Sequence, residues 1–207
     1  MQSFISPHFP THCAAAHVAL FTNVRNSAAL RSRIVRASQM DGPEGDAERE
    51  AVSFAFVDPR LICSLLHLQT AIYQAVLAHT QGSLRTKTVH SEIYKEGSVL
   101  WALNPTNNIS DAIRRYGITD ATSSLIVVRI CSPEPADVQG LMGAVVEGDL
   151  VLLDKLADIT DWSSIKKYYK LNGEQAFKYV PQNSPQEREV ISEIVTSSVA
   201  MKSVAAQ

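Results

Sequence analysis

Cysteine is scarce. Three stand in 207 residues, at Cys13, Cys63 and Cys131, far apart and without a CxxC pair. Neither a disulfide framework nor a zinc ribbon is signalled. Charge of one sign is not in excess either: 19 Lys and Arg face 21 Asp and Glu, a net charge of -2 at pH 7. That excludes a wholesale basic nucleic-acid wrapper and leaves room for a local basic patch. No apolar run approaches the roughly 18 residues of a membrane-spanning helix, so no membrane partner is expected. Met1 to Phe9 has no basic stretch leading into an apolar one, so a secretory signal is not expected, and a reducing compartment (nucleus or cytoplasm) is. GxSxG, HExxH and GxxxxGK[ST] are all missing. Gly82 to Lys87 only faintly echoes a phosphate loop and lacks its glycine spacing. No catalytic residue, cofactor or metal is expected.

What is present is the composition of a globular chain, 45% hydrophobic and 19% charged. The length fits one domain over residues 1–207, with a core over residues 13–200. Ala14–Val24, Ala51–Val57 and Ser124–Cys131 read as buried strands, short apolar runs rich in β-branched and aromatic residues. Between them lies helical spacing. Ser27–Gln39 is one helix, capped by Ser27. Met40–Glu50, acidic and punctuated by Gly and Pro, reads as a mobile loop. Asp58-Pro59 opens a long helix to His79, whose stripe Leu61, Leu65, Leu68, Ile72 and Val76 runs beside the small residues Ala71, Ala75 and Ala78. Thr86–Leu103 predicts a helix interrupted at Gly97. A short helix follows, capped by Asn108, buried through Ile109, Ala112, Ile113 and Tyr116, and ended by a left-handed Gly117. Ala136–Val146, a helix from Asp161 or Ser163 to Lys170, and a last helix opened by Ser184-Pro185 complete the pattern. Few strands among many helices imply an α/β or α+β fold, a small mixed sheet packed with helices in a single domain.

Candidates for chemistry are few. His8, His12, Cys13 and His17 cluster in sequence, but His8 falls in a loose tail while His17 begins a strand, poor geometry for a metal. Cys63 and His67 stand one turn apart and are the residues for a small-molecule enzyme, with Glu92 as a further acid; no oxyanion device accompanies them. Asn108-Ile109-Ser110 matches a glycosylation sequon, and capping explains the same residues.

Three blocks resemble one family: TKTVHSEI, then LWALNPTNNISDAIRRYGI, then SSLIVV. They are similar to the small kinase-binding subunit of the KEOPS (EKC) complex, the PRPK-binding protein family. The matching features are a basic and Thr-rich stretch before Glu92-Ile93, the block Leu103 to Ile118 with Asn107, Asn108, Ser110, Ala112 and Gly117 in place, and the apolar strand Leu125 to Val128. HVALFTNVRN, FVDP and DITDWSSIKKYYKL add to it, so the resemblance spans residues 14–200. Two departures are a longer acidic loop at 40–50 and additional residues from Tyr94 to Val99, which alter the surface near Arg85 and Lys87.

The resemblance implies a non-catalytic subunit. Such subunits bind and stimulate a small atypical kinase/ATPase, and through it join an ASKHA-class catalytic subunit that makes N6-threonylcarbamoyladenosine next to the tRNA anticodon. They help recruit tRNA, in archaeal relatives by its 3′ CCA end; in fungi the complex is also tied to telomeres and transcription. On the residues here, the kinase face is expected on the long and last helices, with Leu65, Ile72, Ile191, Ile194 and Val195 as anchors or directly behind them. A tRNA site is expected from Arg85, Lys87, Asn107, Asn108, Arg114 and Arg115, with the first-turn amides after Asn108 receiving phosphate. A stand-alone module binding tRNA ends or other RNA is the competing reading.

Overall fold

The computed structural model describes residues 1–82, 94–134 and 137–205. Five strands, β1 (Gln2–Ile5), β2 (Ala15–Thr22), β3 (Ala55–Val57), β4 (Leu125–Cys131) and β5 (Asp149–Val151), form one sheet. Its order is β1-β2-β4-β3. β5 pairs with β2 beyond β1, so the two short strands follow each other along one edge. Every pairing is antiparallel, where a mixed sheet was expected, and the class is α+β.

β2 and β4 are apolar almost throughout because both faces of the sheet are covered. The register sets Val18 opposite Val128, Ala19 opposite Val127 and Leu20 opposite Ile126. With a side-chain period of two, Val18, Leu20, Ile126 and Val128 enter one core while Ala19, Phe21, Leu125 and Val127 enter another. The first core is roofed by α3 (Leu65–Thr80), α4 (Tyr94–Leu103), α5 (Ile109–Tyr116), α8 (Trp162–Tyr168) and α9 (Pro185–Ala200). The second, smaller core is closed by α1 (Ser27–Gln39) and α6 (Val138–Val145). α7 (Leu156–Ile159) adds Leu156 and Ile159 to the first core, while α2 (Gly42–Ala51) and α10 (Lys202–Ala205) lie outside these layers.

Several local expectations are corrected. The acidic stretch after Met40 is α2, not a loop: its Gly-Pro pair opens a helix, and Glu48 accepts from Arg33 Nε and Nη2 at 2.7 and 2.9 Å. Arg49 is buried and donates to the carbonyls of Ala37 and Met40. Asp58 does cap, accepting from the Arg60 amide at 3.1 Å, but only a single 3-10 turn, Pro59–Leu61. Extended backbone at Ile62 then sends Ile62 and Cys63 into the core, and Ser64 starts α3 afresh. Asn26 rather than Ser27 precedes α1; the Ser27 hydroxyl donates to the Thr122 carbonyl. β1 takes the place of a loose tail. Among the described residues α4 runs through Gly97 without interruption.

α5 is capped as the sequence predicts, Asn108 Oδ1 accepting from the Asp111 amide at 3.1 Å. Only Ala112 and Tyr116 of its expected face are buried; Ile109 and Ile113 are exposed. Gly117 is not left-handed. It is extended (φ -77°, ψ 164°) and bridges Val57, and a Cβ there would lie 2.4 Å from the Ile113 carbonyl oxygen. Glycine is required for that close approach, not for a positive φ.

Candidate functional site

Two surfaces emerge from this frame. The first is the face shared by α3 and α9. Ile72, Ile191 and Val195 are buried in the main core, so they stand behind the surface; Leu65 and Ile194 are half-buried against it. The apolar side chains that reach solvent from α3 are Leu66 (61% exposed) and Tyr73. Both sit off the sequence stripe, which marks what is buried rather than what is presented. Behind them Ser192 Oγ and Ser64 Oγ meet at 3.1 Å, joining the two helices.

The same region contains the Cys63–His67 pair. The Cys63 amide donates to His67 Nδ1 at 3.4 Å, so the contact is through the backbone. Burial pushes the thiol pKa up and lowers that of the imidazole to about 3. A thiol held protonated beside an imidazole held neutral is the opposite of an activated nucleophile. Glu92 lies outside the described residues. His17 bonds Ser3 across β1 and β2, and among the described residues no group of His, Cys, Asp and Glu is arranged to hold a metal.

The second surface is a groove of about 800 Å³ between the end of α5, the Pro59–Leu61 turn and α8. Arg60, Arg114, Arg115, Lys167 and Lys170 line it, with Asp58, Asp111 and Asp161. All three carboxylates are engaged. Asp58 is buried and pairs with Arg60 at 2.7 Å. Asp111 bonds Arg114, lies 3.7 Å from Arg115 and accepts from the Tyr168 hydroxyl at 2.9 Å; the Arg114 contact foremost, then Tyr168, holds its carboxyl below the usual range. Asp161 caps α8, and hydrogen bonds from Ser164 and Ser163 lower its pKa likewise. Lys167 and Lys170 are exposed and make no ion pair among the described residues. Among the described residues, five cations against three occupied carboxylates leave the groove positive. Arg115 also lies over the Tyr168 ring, 4.4 Å from its centroid, which sets a flat guanidinium on an aromatic platform at the rim.

The expected tRNA residues are thus only partly assembled. Arg114 and Arg115 line the groove. Asn107 is exposed on the preceding loop, and Asn108 is occupied as a cap. Arg85 and Lys87 lie outside the described residues. The first turn of α5 already has its own carboxylate in Asp111, which complements the helix dipole and leaves less for an incoming phosphate. Arg60, Lys167, Lys170 and Tyr168 escaped the sequence reading, being scattered over elements that only folding unites; the cluster of basic residues at the end of α8 was the one visible trace.

Residues 21–203 match the family described as kinase binding protein CGI-121. The chain belongs to this family. Among CGI-121 relatives, the EKC/KEOPS complex subunit CGI121 of Cryptococcus neoformans is 34% identical over 234 residues, covering 96% of this chain and all of that protein. The Aspergillus fumigatus subunit of the same name is 36% identical, over 83% of this chain and 84% of its own. The Candida glabrata one is 30% identical, over 84% and 87%. The CGI-121 match contains both surfaces and begins within β2, leaving β1 outside it.

Proposed function

We propose that this CGI-121 chain is a non-catalytic subunit of a KEOPS/EKC-type complex. On this reading it docks and stimulates the small kinase/ATPase through the α3–α9 face, and so joins the ASKHA-class catalytic subunit. It helps bring tRNA to the complex for N6-threonylcarbamoyladenosine formation through the groove beside α8. The reading places it in nucleus and cytoplasm and extends to a part in telomere maintenance and transcription, as expected of such a subunit in fungi.

The observation that carries the kinase half is family membership over nearly the whole chain, supported by exposed Leu66 on α3, one face of which also presents Tyr73 packed against His8 and Phe9. A few apolar anchors on a firm base are the usual source of interface affinity. The groove supports the tRNA half. Its cations come from three separate elements, its carboxylates are already satisfied, and it offers an aromatic ring beside a guanidinium, surfaces on which single-stranded RNA bases commonly stack.

The test is copurification with the kinase, using wild type and Leu66→Asp, with threonylcarbamoyladenosine measured in cells carrying each as sole copy. Loss of kinase capture and of the modified nucleoside, with an unchanged melting temperature, is the expected result. Full capture by Leu66→Asp would remove the α3–α9 face from the reading, and normal nucleoside levels in a deletion strain would remove the complex itself.

A further inference from the structure

Lys202, in the first position of α10, is buried to 5% exposure, yet no carboxylate pairs with it among the described residues. Its ammonium donates to the carbonyl oxygens of Asn104 and Thr106, the second at 2.6 Å, and sits 4.6 Å from the centroid of the Trp101 ring. Burial lowers its pKa to about 8. A buried ammonium held, among the described residues, by two carbonyls and a ring face is costly, so those contacts fix a particular loop shape.

The loop in question leads to the groove. Asn104 is fully buried; its amide donates to Thr106 Oγ1 at 3.0 Å and to the Asn108 carbonyl at 2.9 Å, while its Oδ1 faces the Tyr168 hydroxyl. That hydroxyl has one proton to share between Asn104 and Asp111, and the Tyr168 ring carries Arg115. A continuous set of contacts therefore runs from Lys202 through Asn104 and Tyr168 to the groove's cations. At its other end, the last turn of α9 is tied down by Gln74, whose amide donates to the Ala200 carbonyl at 2.8 Å. The clasp thus starts from a fixed point.

We propose that Lys202 is a positioning residue for the groove: it closes the carboxyl-terminal helix onto the loop from Asn104 to Asn108, and this closure sets Tyr168 and Arg115 for a phosphodiester chain. The proposal rests on the groove being the RNA site. It gives α10 a role in RNA binding although none of its described side chains lines the groove.

The test compares full-length wild type, Lys202→Met and Lys202→Arg. A single-stranded RNA ending in CCA is the probe, read by fluorescence anisotropy, alongside amide hydrogen exchange of Thr106 to Asp111 and capture of the kinase. Met keeps the chain length and removes the donors; Arg keeps a cation and guards against a Met variant that does not fold. The expected result for Met is an affinity lower by about tenfold, the scale of losing charged hydrogen bonds, with faster exchange confined to the loop and kinase capture intact. Arg should recover part of the affinity. Equal RNA affinity for wild type and Lys202→Met, or unchanged exchange in the loop, overturns the proposal. Absence of RNA binding by wild type itself overturns the groove reading instead, and the exchange data still show whether the clasp exists.

Discussion

The α3–α9 face and the groove beside α8 are built on opposite principles. The first is a thin presented layer over residues that cannot change: Ile72, Ile191 and Val195 are core, while Leu66 and Tyr73 are exposed and Leu65 and Ile194 half-buried. The second is a lining of long charged side chains whose polar heads stand off the core, anchored by carboxylates and tyrosines. A substitution in the first region therefore confounds binding with folding. In the second, charge can be reversed at little cost to the fold.

The largest effect expected from this contrast separates two neighbours on the first face. Val195→Asp places a carboxylate in the closed core and should cost about 3 kcal/mol or more, enough to unfold a marginal chain. Leu66→Asp should leave stability within about 0.5 kcal/mol while abolishing kinase capture. Denaturant melts of both check this, and a stable Val195→Asp protein would mean that α9 does not pack as described. Next comes Gly117→Val. The added Cβ meets the Ile113 carbonyl oxygen at 2.4 Å, so the end of α5 must move, at about 2 kcal/mol. Gly117→Ala should cost nearly as much. A positive-φ glycine would instead tolerate Asn, so Gly117→Asn as destabilised as Gly117→Ala distinguishes the two reasons for glycine.

How much of this was legible in the sequence follows from how local the causes are. Asn108, Ser184 and Asp161 act on amides two or three residues away, and each caps its helix as the sequence implies. The two-faced strands β2 and β4 were visible because apolar runs survive only where both sides are covered. Failures occurred where a distant partner decided the outcome. α2 is stabilised by Arg33, on another helix, and its Gly-Pro start looked like a breaker. β1 exists because β2 has a free edge, not because Gln2 to Ile5 insist on extension. Ile109 and Ile113 followed helical spacing yet face outward, since α4 and the Pro59–Leu61 turn reach only the other side of α5. The groove was half legible for the same reason: Arg114 and Arg115 lie in the family-like block, while Arg60, Lys167 and Tyr168 join them only in space.

The third prediction uses pH to probe the first region. Burial holds the His67 imidazole neutral, lowering its pKa from 6.5 to about 3. Below pH 6.5 the unfolded chain binds a proton that the folded chain refuses. This contribution is fully present above pH 6.5 and declines by about 1.4 kcal/mol per unit as pH falls toward 3. Between pH 6.5 and 5 the loss should reach about 2 kcal/mol. His67→Gln keeps a hydrogen-bond acceptor and does not titrate, so its stability should be nearly flat over that interval. Parallel pH profiles for the two proteins, by urea midpoints, would show that His67 is accessible to protons in the folded state and that the α3–α9 layer is looser than its burial indicates.

The smallest effect on the fold, and the most specific, belongs to the groove. Lys167 and Lys170 are exposed and unpaired among the described residues, so Lys167→Glu with Lys170→Glu breaks no contact and should leave stability within about 0.5 kcal/mol. Binding of a single-stranded RNA ending in CCA should nonetheless weaken. More telling is the salt dependence. Each phosphate neutralised on a single strand contributes about 0.7 to the slope of log affinity against log salt, so removing two contacts should flatten it by about 1.4. Lys155→Glu, on the turn before α7 and outside the groove lining, supplies the control: its lysine is paired with Asp158 at 3.5 Å, and its reversal changes net charge by the same amount per residue. If that control flattens the slope as much per charge as the groove pair does, the protein attracts RNA through its overall field, and the contrast between a docking face and a binding groove reduces to one of composition. A flattened slope in the groove variant alone, with kinase capture intact, places the phosphates beside α8 and keeps the two regions functionally separate.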